Sequence, residues 1–526
     1  MRYSTKTRLL TGSAIVSAAL LLSAPVVAQD VTVAFAATEL GATAYNPVAS
    51  STLNTATSLI FDRLVEQDAD QSYHPHLATS WEETPDGMAW TFSLREGVTF
   101  HDDTPFNAQA VQSWIASYEG TENEYLVEAI GSVEVIDELT VRFNMDRPEP
   151  NLLYNLASAF MGIPSPTAFA ELGDDFGVTA AIGTGPYRME SFEIGLQTVL
   201  VRNEDYTWGS ELSENTGAGH VETFTFREIP DQSTAFLELR TGGIDLLLGV
   251  PTDFLQILEA EANIEIIQMP GVGIIYMPIN VTSAPFDDIL VRQATTMAID
   301  QDSIVAAIYN GVGAPARNFL ISSLPEADID PALNVTYDPA RAGDLLDEAG
   351  WTMGDDGVRM KDGTALSVSL FTNNTTELTR LTQVVQSQLA EIGMEATITV
   401  FDASTIRDEY RENRHQLAVR SYNWNNADIL DWFFSGNRLG YPNVSMWQDV
   451  EGQRLNDVAM TESSTSAERV ANFTAYHEYV MSQHLMVPIY QPTQNIAFNS
   501  TAITVPDPVR GPRFRGQTFV DIQVVE

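Results

Sequence analysis

Ser233-Thr234-Ala235-Phe236-Leu237-Glu238-Leu239-Arg240, followed by Gly242-Gly243 and then Ile244-Asp245-Leu246-Leu247-Leu248-Gly249, is the stretch that decides the fold class. Its first part spaces apolar residues as a helix does, and the glycines supply the left-handed conformation at which helices stop. The apolar run that follows reads as a buried strand. The same unit recurs: Asp338 to Glu348 reads as a helix stopped at Gly350, Leu366 to Phe371 as a strand, Leu378 to Ile392 as a helix stopped by Gly393, and Ala396 to Phe401 as a strand. Toward the amino end, Val31 to Ala36, Trp90 to Leu94 and Val133 to Phe143 alternate as strands, and Asn107 caps a helix running to Tyr118. The polar segment Thr38 to Thr57 reads as a loop entering a helix, and Val199 to Arg202 and Thr223 to Ile229 as short strands. Strands interleaved with helices predict an α/β architecture.

The first residues carry Arg2, Lys6 and Arg8 ahead of an apolar run from Leu9 to Leu22, with small residues up to Ala28. This is the pattern of a cleavable export signal over residues 1–28, too short for a membrane span of about 20 residues. The 526-residue chain is 44% hydrophobic, which is enough for two or three globular domains. It has no cysteine, so disulfides, thiol catalysis and a lipid-modified cysteine are excluded. A soluble periplasmic protein is expected, exported but not lipid-anchored. The formal net charge of -44 leaves no basic field for phosphates, so nucleic acid and anionic lipid are not expected partners.

Catalytic signatures are missing: there is no Gly-x-Ser-x-Gly elbow, His-Glu-x-x-His helix or Walker loop. His74-x-His76 and His101-Asp102-Asp103 are the densest groupings of metal-capable side chains. They read as surface or structural groups, so no metal and no cofactor is expected.

Several segments together resemble the extracellular (periplasmic) solute-binding protein family 5, the receptors of peptide, nickel and related ABC importers. Leu77-Ala78-Thr79-Ser80-Trp81, Asp86-Gly87 and Trp90-Thr91-Phe92-Ser93-Leu94-Arg95-Glu96-Gly97-Val98-Thr99-Phe100-His101-Asp102 look like the family signature. Asp103 stands where the family has glycine. Gly183-Thr184-Gly185-Pro186-Tyr187, Arg202-Asn203-Glu204-Asp205-Tyr206, Pro285-Phe286-Asp287-Asp288, Val291-Arg292-Gln293-Ala294 and Tyr337-Asp338-Pro339 continue the series in order. The resemblance implies a two-lobe periplasmic binding protein fold (type II, cluster C-like) with a subdomain inserted in the first lobe. Its implied layout is lobe I over 29–270 with the insert at about 51–182, lobe II over 271–490, and a return to lobe I over 491–526. Crossovers are expected near Met269 to Val272 and Val487 to Pro492. It also implies a monomer that closes on a small-molecule ligand and delivers it to the permease subunits of an ABC transporter.

The richest candidate for a pocket wall is Ser421-Tyr422-Asn423-Trp424-Asn425-Asn426-Ala427-Asp428, with Trp432 and Arg438 beyond it. Amides, a carboxylate and aromatic rings together combine apolar area with groups that fix orientation. Tyr422, Trp424, Asn425, Asn426, Asp428, Trp432 and Arg438 are therefore candidate contacts, with Arg438 suited to a ligand carboxylate. In peptide-binding relatives the matching stretch is Trp-x-x-Asp, whose acid holds the ligand amine. Here Ala427 occupies that place and the acid comes one residue later, leaving Asp428 open between amine clamp and helix cap. Tyr45 and Asn54 lie in the loop that faces the ligand in relatives and complete the candidate set. A short peptide or peptide-like solute is the expected ligand. A nickel or other metal chelate, glutathione, an opine or an oligosaccharide is the alternative, and a secreted hydrolase is the reading of another class.

Overall fold

The computed structural model describes residues 1, 29–35, 43–50, 52–69, 71–463, 465–506, 514 and 516–525. Apart from Met1, the expected export signal lies outside the described residues, as does Ala36 and part of the Thr38 to Thr57 loop.

Two sheets organise the chain. The first has seven strands in the order Ile264–Pro270, Thr493–Asn499, Leu246–Leu248, Asp30–Phe35, Thr223–Glu228, Gln197–Arg202 and Tyr187–Glu193. Its central strand Asp30–Phe35 is parallel to both neighbours, and the all-buried Leu246–Leu248 shows why that strand reads as a continuous apolar run. The helix ahead of it spans Gln232–Thr241; Asp231 accepts from the Thr234 amide at its start, and Gly242 ends it at φ 76°.

The second sheet has six strands: Ala314–Pro315, Met486–Gln491, Gly273–Pro278, Leu417–Asn423, Ser367–Asn373 and Glu395–Phe401. Ser367–Asn373 runs parallel to both of its neighbours. Parallel neighbours need a crossover, and the helix Thr376–Glu391 provides one, laying Leu378, Leu381, Val385 and Leu389 on the sheet.

A third core surrounds a four-stranded antiparallel sheet of Ala78–Glu83, Ala89–Leu94, Thr140–Met145 and Ile130–Asp137. Trp90, Phe92, Phe143 and Trp114 fill it, the last from the helix Ala108–Ala116 capped by Asn107. The alternation expected as one strand over Val133 to Phe143 is two strands. Asp137 accepts from the Leu139 amide at 2.9 Å and turns the chain, and period-2 alternation continues through such a hairpin, which hides the turn from pattern reading.

The chain passes between the two large sheets at Gly271-Val272 and again at Pro492, and the two passages are bonded to each other through the Gly271 amide and the Pro492 carbonyl at 2.8 Å. A Cβ on Gly271 would run into the Pro492 carbonyl oxygen. Gly271→Ala is expected to lose about 1–3 kcal/mol of stability by forcing the passages apart. An unchanged thermal melt would contradict that close approach.

Candidate ligand cleft

The strand Leu417–Asn423 delivers Trp424 to the gap between the lobes, where its amide donates to Val272 at the crossing, 2.7 Å. The indole Nε1 donates to Asp428 Oδ1 at 2.7 Å. Asp428 takes a helical backbone conformation ahead of Ile429–Phe434 but makes no side-chain cap bond. Its carboxylate instead accepts at Oδ2 from Asn151 Nδ2 of the other lobe, at 3.5 Å.

Asn425 and Asn426 tie the lobes together. Tyr154 donates its hydroxyl to Asn425 Oδ1 at 3.0 Å, and Asn425 Nδ2 donates to Gln67 Oε1 at 3.2 Å. Asn426 Nδ2 donates to Asn151 Oδ1 at 3.2 Å, while its Oδ1 accepts from Arg469 Nη2 at 2.5 Å. Arg469, only 9% exposed, also pairs with Glu326 at 3.1 Å and stacks over Phe473.

The electrostatics are lopsided. Burial raises the pKa of Asp428, of Glu326 and of Glu149, and the positive charge of Arg469 works against the rise at all three. Asp428 and Glu326 thus share one buried guanidinium, while Glu149 also has Arg147 at 3.9 Å. The Tyr73 hydroxyl, which accepts from Gln67 Nε2 at 3.4 Å, senses the same charges and is pushed up to about 12 by burial.

Four expected contacts lie elsewhere or are otherwise engaged. Tyr45 is 0% exposed in the core of the first lobe, its hydroxyl paired with Thr198 Oγ1 at 2.7 Å and its ring edge-on to Phe192. Asn54 Nδ2 donates to that same hydroxyl at 3.0 Å, so the two satisfy each other inside the lobe. Tyr422 donates its hydroxyl to the Phe319 carbonyl and packs among Phe319, Tyr276 and Phe433 in the core of the second lobe. Arg438 is committed to Asp431 at 2.7 Å and lies 4.2 Å over the Trp432 ring. Trp432 in turn approaches Trp424 at 6.3 Å between ring centres.

The opposite wall was not anticipated. Gln67, Asn151 and Tyr154 belong to the region packed with the third core, so the insert, rather than the loop before it, meets Asn425, Asn426 and Asp428. Their partners are more than 270 residues away and leave no local trace. Arg469 did leave one: it sits on the same face of Ser466–Ser482 as Phe473, Tyr476 and Val480, a cation on the buried stripe.

His76 is buried between Asp62 and Glu66, and His101 is held neutral, near 4, by burial beside the Gly185 carbonyl. Among the described residues, no group of three His, Cys, Asp or Glu is placed to hold a metal ion, and no helix is long and apolar enough to cross a membrane.

Residues 72–440 match the bacterial extracellular solute-binding proteins, family 5 (middle section). The dipeptide-binding protein of Escherichia coli is 28% identical over 420 residues, 74% of this chain and 75% of that protein. The glutathione-binding protein GsiB of Shigella flexneri is 29% identical over 432 residues, 80% of each. Among solved structures, NikA from Brucella suis in complex with Fe(III)-EDTA superposes with a TM-score of 0.82 at 24% identity, covering 94% of this chain and 99% of that one. The periplasmic binding protein DppA from Helicobacter pylori in complex with the peptide STSA gives 0.73 at 24%, covering 94% and 98%. The two α/β lobes, joined by paired passages of chain, agree with these matches, and this chain belongs to the bacterial extracellular solute-binding proteins of family 5.

Proposed function

We propose that this protein is a non-enzymatic periplasmic receptor that captures a short peptide or peptide-like solute bearing a cationic group and passes it to the permease of an ABC importer. The observation that carries the ligand class is that Asp428 and Glu326 share one buried cation, Arg469, with Glu149 beside them leaning on Arg147 at 3.9 Å as well. Enclosed carboxylates without enough counter-charge favour a guest that supplies it. Dipeptides and glutathione, for which the two relatives above are named, each offer an ammonium at neutral pH. The Trp424 and Trp432 rings add apolar area that suits a side chain or a cation.

In this reading the lobes turn about the bonded passages at Gly271 and Pro492, and Asn425 and Asn426 fasten the closed form to the insert. The layout of 29–270 with its insert, 271–490 and 491–526 names the moving bodies.

Denaturing the purified protein and identifying the released small molecules by mass spectrometry tests the ligand class. Amine-bearing, chemically unaltered compounds are expected; release of only neutral sugars or anions overturns it, and altered products overturn the non-enzymatic reading. Affinity for a cationic peptide should also fall as the pH is lowered from neutral toward 3.8, because Asp428, whose pKa is raised above that value, takes up a proton and loses its attraction. A binding constant flat across that range would argue against pairing with Asp428.

A further inference from the structure

Away from the cleft, Arg420 on the strand Leu417–Asn423 has no counter-ion. Among the described residues no carboxylate lies within ion-pair distance of it, and its buried Nη1 has no hydrogen-bond partner. Four aromatic rings enclose the guanidinium instead, with Cζ 4.9 Å from the ring centre of Phe433, 5.5 Å from Tyr441, 5.7 Å from Tyr410 and 5.8 Å from Tyr276. Rings attract a cation but do not accept its N–H bonds as an anion does.

The surroundings add positive charge and unused donors. Exposed Arg407 and Arg411 lie over the same Tyr441 ring at 5.5 and 5.6 Å; only Arg411 has an acid, Asp408 at 3.0 Å. The hydroxyls of Tyr276 and Tyr410, residues 1% and 2% exposed, are both buried without a partner. They are close enough to sense each other and Arg420: burial raises both, the neighbouring hydroxyls raise Tyr276 further, and the Arg420 charge draws both back. His415, edge-on to Tyr410, is held neutral and provides no counter-charge. Three donors, one of them charged, thus come together in a positive field inside a chain of net charge -44.

We propose that the second lobe carries a small-anion site, filled by an ion of the size and charge of chloride, between Arg420 and the hydroxyls of Tyr276 and Tyr410 beneath the Tyr441 ring. A buried charge requires a partner, and buried orphan donors commonly mark an ion or a water. The guanidinium charge favours an anion over water as the missing partner. The site is independent of the ligand reading of the cleft.

Crystals grown with bromide in place of chloride provide the direct test. An anomalous bromide peak in contact with Arg420 Nη1 is expected, together with a melting temperature that rises with chloride against gluconate at constant ionic strength. Tyr276→Phe combined with Tyr410→Phe keeps the rings, removes two donors and should abolish that rise; Arg420→Met should do the same. A water without anomalous signal overturns the proposal. So does an adventitious ion only, meaning a bromide peak whose chloride-dependent stabilisation survives in every variant or is missing from the wild type. If the double tyrosine variant does not fold, the peak and the Arg420→Met melt still decide the matter.

Discussion

Asp428→Asn is expected to weaken binding of a cationic peptide by at least roughly thirtyfold, while leaving the fold intact. Removing one partner of a buried, hydrogen-bonded charge pair loses about 2–5 kcal/mol, and each 1.4 kcal/mol or so is tenfold in affinity. The asparagine oxygen still accepts from Trp424 Nε1, so the indole keeps its place. Because the buried carboxylate is itself held at a desolvation penalty, the empty variant should melt no lower than the wild type. Calorimetric titration with a short peptide and with its N-acetylated form separates the effects. Loss confined to the free amine is expected, and equal affinity of variant and wild type for the free amine would sink the clamp.

Arg469→Met should produce the largest change in stability, a loss of about 3–5 kcal/mol, as when one member of a buried ion pair is removed. It leaves Glu326 without its partner at 3.1 Å and Asn426 Oδ1 without its strongest donor. The deficit has a pH signature. Glu326 and Asp428 already have raised folded-state values, and removing the guanidinium raises them further. Their charged forms therefore destabilise the variant most at neutral pH. The deficit shrinks as the pH falls from neutral toward 4.5 and 3.8, the ordinary values, below which the carboxyls are protonated in both folded and unfolded chains. Adding Glu326→Gln to Arg469→Met should restore part of the stability at neutral pH. Denaturant melts of the two single variants and the double variant give the coupling, and additive losses would show that the pair acts separately.

Much of the scaffold was legible residue by residue. The helix Gln232–Thr241, its aspartate cap, its left-handed Gly242 and the leucine strand beyond are all local features, governed by capping, backbone conformation and periodicity within about a dozen residues. The same holds for Thr376–Glu391 with its stop before Gly393. The hairpin inside Val133 to Phe143 was hidden because a two-residue turn keeps the period of the strands it joins.

Along the candidate wall, the outcome divides by what each side chain can reach. Composition pointed to Trp424, Asn425, Asn426 and Asp428, because amides, an acid and an indole in a row have no use in a core. The same composition did not reveal that Tyr422 is core, that Arg438 is spent on Asp431, or that Tyr45 and Asn54 satisfy each other within one lobe.

By itself the sequence determined the α/β class and the family, and singled out Ser421 to Asp428 as a candidate wall, since these rest on local periodicity, capping, composition and ordered motifs. Only the tertiary structure decided which groups face that segment: Gln67, Asn151 and Tyr154 from the first lobe, and Arg469 with Glu326 from distant parts of the second. The reason is physical: hydrogen bonding and charge pairing act over a few ångströms of space, whatever the separation along the chain.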